Sequence, residues 1–444
     1  MRLMRWRQGL KAWPLACVLA AAVGCGGGME PSDSGIATID GNVNPMGAWP
    51  GPIVIQANEN CSDMHSMAVG QSMVMTCYQP PIRHMAVDAV SLEDFSAQHF
   101  EFDLPAQTSN HRWILPGILS LDGPHHLEEF IRIGADGRPM WRWRAEAPFF
   151  QLPRGAVEWD GSVYALLYPP ELEEQGAVYL GRWTPSEAGV VAFDVTRVDT
   201  PDDCPRLDGS GVVLTARGSV LIMTECSLGV VREVNMDGPV RTCRIPTLTT
   251  LGSARSPIYQ PPSELVATGC FGPGNCGSFY LADDCSTRFL PPGAFPVSSD
   301  RLVALDGVAR VVSILDGSGA LLARTPALPE GAPFHSFEWV SSGRVTYVVG
   351  SSVMGTNTAY TTPFFSLRHH QTEGARVVAP FAISSHPPSP ASSRTNSGVA
   401  AVVLDDEEAV IILSLEMVGG VASRYVISRF LPSGEEDLGP PERD

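Results

Sequence analysis

Phe130-Ile131-Arg132-Ile133-Gly134-Ala135-Asp136-Gly137-Arg138-Pro139-Met140-Trp141 reads as a strand, a tight turn and a second strand. β-Branched and aromatic residues flank an Asp-Gly pair, whose glycine supplies the positive φ that a tight turn requires. The same order returns at Val230 to Arg241 around Asp237-Gly238, at Val311 to Leu322 around Asp316-Gly317, and at Tyr425 to Gly434 around Ser433-Gly434. Between these units almost no stretch has helical periodicity. Short runs such as Ser162 to Tyr168 and Gly343 to Val349 are strand-like and end at Gly, Pro or Asp-Gly. The 38 prolines and 43 glycines are spread through the chain, which suits many turns and few helices.

Several units follow another hairpin with an apolar second strand, as Gly211 to Met223 precedes the unit at Asp237. That makes roughly four strands per repeat at a spacing of about 40 to 60 residues, the scale of one propeller blade. The expected fold is all-β: a β-propeller of about seven four-stranded blades, with six to eight compatible, stiffened by disulfides. The unit at Asp136 to Trp143 resembles the strand-turn-strand of pyrroloquinoline-quinone-type and related propellers, where Asp-Gly leads to an apolar strand bearing Trp. The tryptophan does not recur in the later units, and Trp159-Asp160 is an isolated Trp-Asp pair rather than a repeated dipeptide.

The chain begins with basic Arg2, Arg5, Arg7 and Lys11, followed by the apolar segment Leu15 to Val23 and then Gly24-Cys25. The apolar run is far shorter than the roughly 20 residues of a bilayer span, and this is the layout of an export signal. Ala22-Val23-Gly24-Cys25 resembles the lipobox of bacterial lipoproteins, in which the cysteine is lipidated and becomes the mature N-terminus. The resemblance implies a membrane anchor at Cys25 and, with Gly26 rather than an aspartate following, the outer membrane of the cell envelope. The expected organisation is a signal peptide at 1–24, a flexible Gly/Ser/Pro-rich tether at 25–35, the propeller at 36–435 and an acidic tail at 436–444.

Removing the four basic residues of the signal leaves 26 basic against 48 acidic residues, a net charge of −22. Such a surface repels phosphate backbones, so no nucleic-acid partner is expected, and the lipid is the expected membrane contact. Lys11 is the only lysine and lies in the signal. Schiff-base chemistry, a P-loop and serine–lysine nucleophiles are therefore excluded.

Beyond Cys17 and Cys25, eight cysteines remain, at 61, 77, 204, 226, 243, 270, 276 and 285. An even number in an exported chain reads as disulfides, and the favoured pairs are sequence neighbours: Cys61 with Cys77, Cys204 with Cys226, Cys243 with Cys270, and Cys276 with Cys285. No Cys-x-x-Cys occurs, so the spacings fit no common zinc module.

Cys61 to Met85 gathers Met64, His65, Met67, His84 and Met85, soft ligands that suit copper(I); the competing reading is a strand whose methionines face the core. His125-His126 and His369-His370 read as exposed loop residues, because adjacent residues on a strand point to opposite faces. Asp202-Asp203, Asp283-Asp284 and Asp405-Asp406-Glu407-Glu408 lack the alternating spacing of a calcium loop and read as solvated turns. Gly272 to Gly277 matches Gly-x-Gly-x-x-Gly, but a strand follows it where a dinucleotide loop would open a helix, so it reads as a simple turn. Trp141, Arg142, Trp143, Arg144 and Trp159 are candidate binding anchors, against the reading that the tryptophans pack between blades.

No nucleophile elbow is present and no cofactor is implied. The leading expectation is a lipid-anchored envelope protein that binds an envelope protein or a small-molecule ligand rather than catalysing a reaction. The alternatives are an envelope hydrolase or quinone-dependent dehydrogenase on the same fold, or a copper-handling protein.

Overall fold

A computed structural model describes residues 49–439 apart from connecting segments at 57–60, 62, 80–82, 107, 124–126, 146–155, 168–177, 187–189, 199–211, 216–218, 223–228, 236–237, 253–263, 272–275, 307–310, 326–333, 343, 353–363, 372–373, 382–393, 406 and 419–420. The described residues form 32 strands in eight four-stranded antiparallel sheets.

The first strand, β1 (Ile53–Gln56), precedes blade 1, which is β2 (Asp63–Val69), β3 (Ser72–Gln79), β4 (His84–Ser91) and β5 (Ala97–Asp103). Blade 2 is β6 (Asn110–Leu115), β7 (Ile118–Asp122), β8 (Leu127–Ile133) and β9 (Pro139–Arg144). Blade 3 is β10 (Ala156–Trp159), β11 (Ser162–Leu167), β12 (Val178–Pro185) and β13 (Val191–Val198). Blade 4 is β14 (Val212–Leu214), β15 (Val220–Ile222), β16 (Val230–Asn235) and β17 (Gly238–Arg244). Blade 5 is β18 (Thr250–Gly252), β19 (Glu264–Cys270), β20 (Cys276–Ala282) and β21 (Thr287–Phe289). Blade 6 is β22 (Ala294–Ser298), β23 (Arg301–Asp306), β24 (Val311–Asp316) and β25 (Leu321–Arg324). Blade 7 is β26 (Phe334–Ser341), β27 (Val345–Ser352), β28 (Phe364–His370) and β29 (Gly374–Phe381). Blade 8 is β30 (Arg394–Leu404), β31 (Val410–Val418) and β32 (Val421–Phe430), and β1 supplies its outer strand.

First strands of successive blades touch, as β2 does β6, β6 does β10 and β26 does β30, and β30 meets β2 again. The fold is therefore an eight-bladed propeller, closed because the N-terminal β1 pairs antiparallel with β32, Ile53 opposite Ile427. Eight is the upper end of the expected range, and the physical reason for the lower central value is visible in the third-to-fourth-strand corners. Blades 1, 2 and 5 each place an aspartate before a left-handed residue, which is Phe95 (φ 58°), Gly137 (φ 81°) and Cys285 (φ 68°) respectively. Only one of the three is the glycine that makes such a corner legible. The corner aspartates cap the turn two residues on: Ser96 N donates to Asp94, Arg138 N to Asp136, Ser286 N to Asp284 and Ser318 N to Asp316.

The chain ends are clasped at one place. Trp49 is buried, meets the Phe95 ring edge-on at 5.1 Å and donates its indole N–H to the Asp437 carbonyl at 2.7 Å. Gly51 has φ 100°, and a Cβ there would lie 2.7 Å from the Leu438 carbonyl oxygen, so the clasp needs glycine. Glu436 to Gly439, set apart from the sequence as part of a tail, thus pack on the ring, with Glu436 bridged to Phe430.

Candidate functional site

In every blade the turns after the first and third strands lie at one face of the ring. The turns after the second strand and the blade-to-blade connections lie at the other. Trp49 leads into a fourth strand, so the described chain enters the ring at the first of these, the turn face. Apart from Ser72, the described buried polar side chains of blades 1 and 2 lie toward the opposite, connection face.

There the innermost strands β2 and β6 bring His65 and His111 together, ring centroids 4.6 Å apart and planes at 88°. Cross-strand register puts Thr76 opposite His65, and its hydroxyl lies 3.2 Å from the His65 carbonyl oxygen and 3.1 Å from His111 Nε2. Tyr78, on the same face of β3, donates its hydroxyl to the Thr108 carbonyl at 2.8 Å. His111 is fully buried and His65 is half-buried.

Alternation along β6 turns Arg112 to the other side, toward blade 3. Its Nε is 3.4 Å from Asp122, which is 1 % exposed and accepts the Ser120 hydroxyl at 2.8 Å. Burial outweighs the Arg112 charge and the Ser120 hydrogen bond, raising the Asp122 carboxyl from 3.8 to about 6. At the outer end of this face, buried Glu129 accepts two bonds from Arg142 at 2.6 and 2.9 Å, and Arg142 also reaches the Asp103 carbonyl at 3.0 Å.

The candidate anchors on β9 are divided by the same alternation. Trp141 is 8 % exposed, and Trp143 packs with Phe130, Trp183 and Phe193 at centroid distances of 4.6 to 6.2 Å, inside the seam between blades 2 and 3. Packing therefore accounts for both. Arg142 and Arg144 point to blade 1 and converge on Glu129, Arg144 remaining largely exposed. Trp159 is 46 % exposed at the end of β10 on the turn face, away from the other four.

The copper-oriented set is also split. Alternation places His65 and Met67 on the blade 2 side of blade 1, in the packed cluster that contains Met85 and Tyr78, whereas His84 lies on the other side and pairs with Asp103 at 2.9 Å. The Met64 side chain lies outside the described residues. Among the described residues, no three His, Cys, Asp or Glu side chains converge as a metal-binding group.

Three disulfides are described: Cys61–Cys77 as expected, and Cys243–Cys285 and Cys270–Cys276 in place of the expected 243–270 and 276–285 pairs. Cys270 and Cys276 face each other in register across the β19–β20 hairpin, a shorter loop than either rejected pair would close. Cys243 on outer strand β17 is then brought to the blade 5 corner at Cys285, a contact between blades that loop length alone does not reveal. Cys204, Cys226 and Cys25 lie outside the described residues, as do Asp202-Asp203, His125-His126 and residues 272–275 of the glycine-rich turn.

Two expectations of solvent exposure are overturned. His369 and His370 lie on β28 and are 7 % and 8 % exposed. Asp405 is fully buried, and Glu408 is only 18 % exposed at its side chain, because Asp405 to Glu408 is an ion-pair hub rather than a solvated turn. Arg429 bonds Asp405 at 2.7 Å and also Glu407 and Asp437; Arg368 and His370 meet Glu408 at 3.1 and 3.4 Å. Burial alone would lower the Arg429 pKa, but the bonds to Glu407 and Asp405 outweigh it and hold the guanidinium charged. Sequence reasoning missed His111, Arg112, Asp122, Arg368 and Arg429, since a buried charge on a strand leaves no local pattern beyond its place in the alternation.

No family model and no curated protein matches the chain. Among solved structures, similarity is found to the β-propeller domain of the Trilobed protease from Pyrococcus furiosus, at 9 % identity and TM-score 0.35 over 87 % of this chain and 95 % of that one. A dihydro-heme d1 dehydrogenase is 10 % identical at TM-score 0.39, over 76 % and 77 %. A puromycin-hydrolyzing peptidase of Mycobacterium tuberculosis is 11 % identical at TM-score 0.38, over 84 % of this chain and 61 % of that one. The fold assignment rests on the eight blades themselves.

Proposed function

We propose that the protein is a cell-envelope binding protein, anchored through a lipid on Cys25, which offers the connection face of its propeller to an envelope protein or a small ligand. The observation that carries this reading is the opposition of the two faces. The tether reaches the body at Trp49 on the turn face, while Arg112, Asp122, Glu129, Arg142 and Arg144 gather at the other. The segment from Cys25 to Trp49 extends to roughly 80 Å, enough to hold the body clear of headgroups. The turn-face corners carry Asp94, Asp136, Asp284, Asp316 and Glu407, a rim that anionic headgroups repel. Arginines at the opposite face suit a partner presenting carboxylates.

Photo-crosslinking of the tagged, lipidated protein in native envelopes tests this. A stoichiometric partner whose capture is lost on Arg144→Glu, but kept on a Glu407→Arg change at the turn face, supports the reading. Capture insensitive to Arg144→Glu, or a protein that fractionates away from membranes, defeats it.

One observation favours the hydrolase alternative: buried Asp122, with its pKa near 6, has the protonation behaviour of a general acid or base. An ester or peptide hydrolysis abolished by Asp122→Asn in a folded variant would favour it.

A further inference from the structure

We propose that the Cys270–Cys276 disulfide is a thiol-exchange site, entered by attack on Cys276 from the connection face. This is independent of the envelope-partner reading. Exposure separates this bond from the other two described disulfides. Cys61 and Cys77 are 6 % and 5 % exposed, and Cys243 is 2 % exposed. Cys276 is exposed, as the first residue of β20 at the tip of the β19–β20 hairpin, whose turn follows a second strand and so lies at the connection face. Among the described residues nothing lies within 4 Å of a Cβ placed on the adjacent Gly277, so the other side of this strand end is open as well.

The two sulfurs are unequal. Cys270 is half-buried, and its carbonyl accepts the Thr249 N–H at 2.7 Å and the Thr249 hydroxyl at 2.8 Å, which ties β19 down beside the disulfide. Cys276 is the sulfur that an incoming thiolate reaches, and Cys270 is the leaving group on a fixed strand. The two form the outermost pair of the hairpin, so breaking their bond leaves the pairs from Glu264 opposite Ala282 to Gly269 opposite Gly277 in place. The bond closes a separation of 6 residues, against 16 for Cys61–Cys77 and 42 for Cys243–Cys285. A short loop restrains the unfolded chain least, so folding opposes reduction of this bond least. Exposed disulfides are also the more oxidising and labile ones.

In the first step a thiolate bonds to the Cys276 sulfur as the Cys276–Cys270 bond breaks, and the electron pair leaves on Cys270, which takes up a proton. A second thiolate then attacks the reductant's sulfur in this mixed disulfide and frees Cys276 as a thiol. Two thiols are thereby oxidised to one disulfide, and the protein gains two electrons and two protons. The co-reactant is a small thiol or the dithiol of a reductase.

Equilibrating the folded full-length protein with graded reduced and oxidised glutathione tests this, each cysteine being followed by alkylation and peptide mapping. Cys270–Cys276 should be half-reduced at a reduced-to-oxidised ratio at least about tenfold below that needed for Cys61–Cys77 or Cys243–Cys285. Reduction about tenfold faster by thioredoxin than by glutathione at equal thiol concentration assigns a protein dithiol, and comparable rates a small thiol. With oxidised glutathione, folded Cys270→Ser should accumulate an adduct on Cys276, and folded Cys276→Ser about tenfold less on the half-buried Cys270. Reduction of either other bond ahead of Cys270–Cys276 or together with it overturns the proposal, as do equal adducts on the two variants.

Discussion

The seam between blades 2 and 3 is built from interlocking aromatic rings, whereas the seam between blades 7 and 8 adds buried ion pairs to its aliphatic packing. In the first, Phe130, Trp143, Trp183 and Phe193 interlock, and Trp183 is wholly buried; a Cβ on Gly181 would lie 2.6 Å from its ring, so glycine there makes the fit. Across the second, Arg368 and His370 of blade 7 meet Glu408 and the Tyr347 hydroxyl donates to the Glu408 carbonyl, while within blade 8 beside it Arg429 is buried among Asp405, Glu407 and Asp437. Apolar packing is non-directional and stabilises strongly by area removed from water. Buried ion pairs recover less net energy but tolerate little displacement, which suits the blade where both chain ends must meet in one register.

The largest effect should come from the aromatic seam. Trp183→Ala is expected to cost about 5 kcal/mol, through lost burial and the cavity left between two blades, measurable by urea unfolding. Should that cost fall under about 2 kcal/mol, the seam collapses easily and the contrast with the ionic seam disappears.

At the closing blade, Arg429→Met should cost about 4 kcal/mol, because it leaves Asp405 buried without its cation. The double change Arg429→Met with Asp405→Leu should recover most of that loss if the network serves register rather than net stability. Failure to recover would mean that the charges themselves stabilise the closure.

The seam between blades 4 and 5 adds a covalent case. Cys243–Cys285 closes a 42-residue separation there, beside Arg241, which bonds Glu233 at 2.6 Å and the Ala282 carbonyl at 2.7 Å. Replacing both cysteines by serine should lower stability by about 4 kcal/mol, against about 2 for the six-residue Cys270–Cys276 separation, as parallel denaturant curves would show.

The smallest effect sharpens the comparison from within. Asp122 is an acid on the blade 3 side of blade 2, with its folded pKa raised to about 6 by burial. The folded state therefore binds more protons than the unfolded one between pH about 4 and 6, so stability falls as pH rises through that window, by up to about 3 kcal/mol. Asp122→Asn should flatten this part of the pH–stability profile. An unchanged slope would place the titration elsewhere.

Much of this was legible in the residues. Alternation in Phe130 to Trp141 and the Asp-Gly corners specify four-stranded units, and eight such units are what form. Blade 1 was hard to count because Phe95 occupies a left-handed position usually given to glycine, stabilised by its contact with Trp49 some 46 positions away. Cys61–Cys77 was legible because it lies within one hairpin; Cys243–Cys285 was not, because it joins two blades. At the candidate site only His65 and its methionines stood out, since His111 lies in another blade and looks like any polar residue of its strand.

The sequence by itself determined the local grammar: strands of period two, corners capped by aspartate, an even set of cysteines, and an acidic chain without lysine beyond position 11. Tertiary structure alone decided which blade faces which, and hence that Arg368 meets Glu408, that His65 meets His111 and that Trp143 is core against Trp183 and Phe193. The reason is range. Alternation and turn chemistry act over a few residues, whereas the partner across a seam is set by closing the whole ring, with β1 returning to β32.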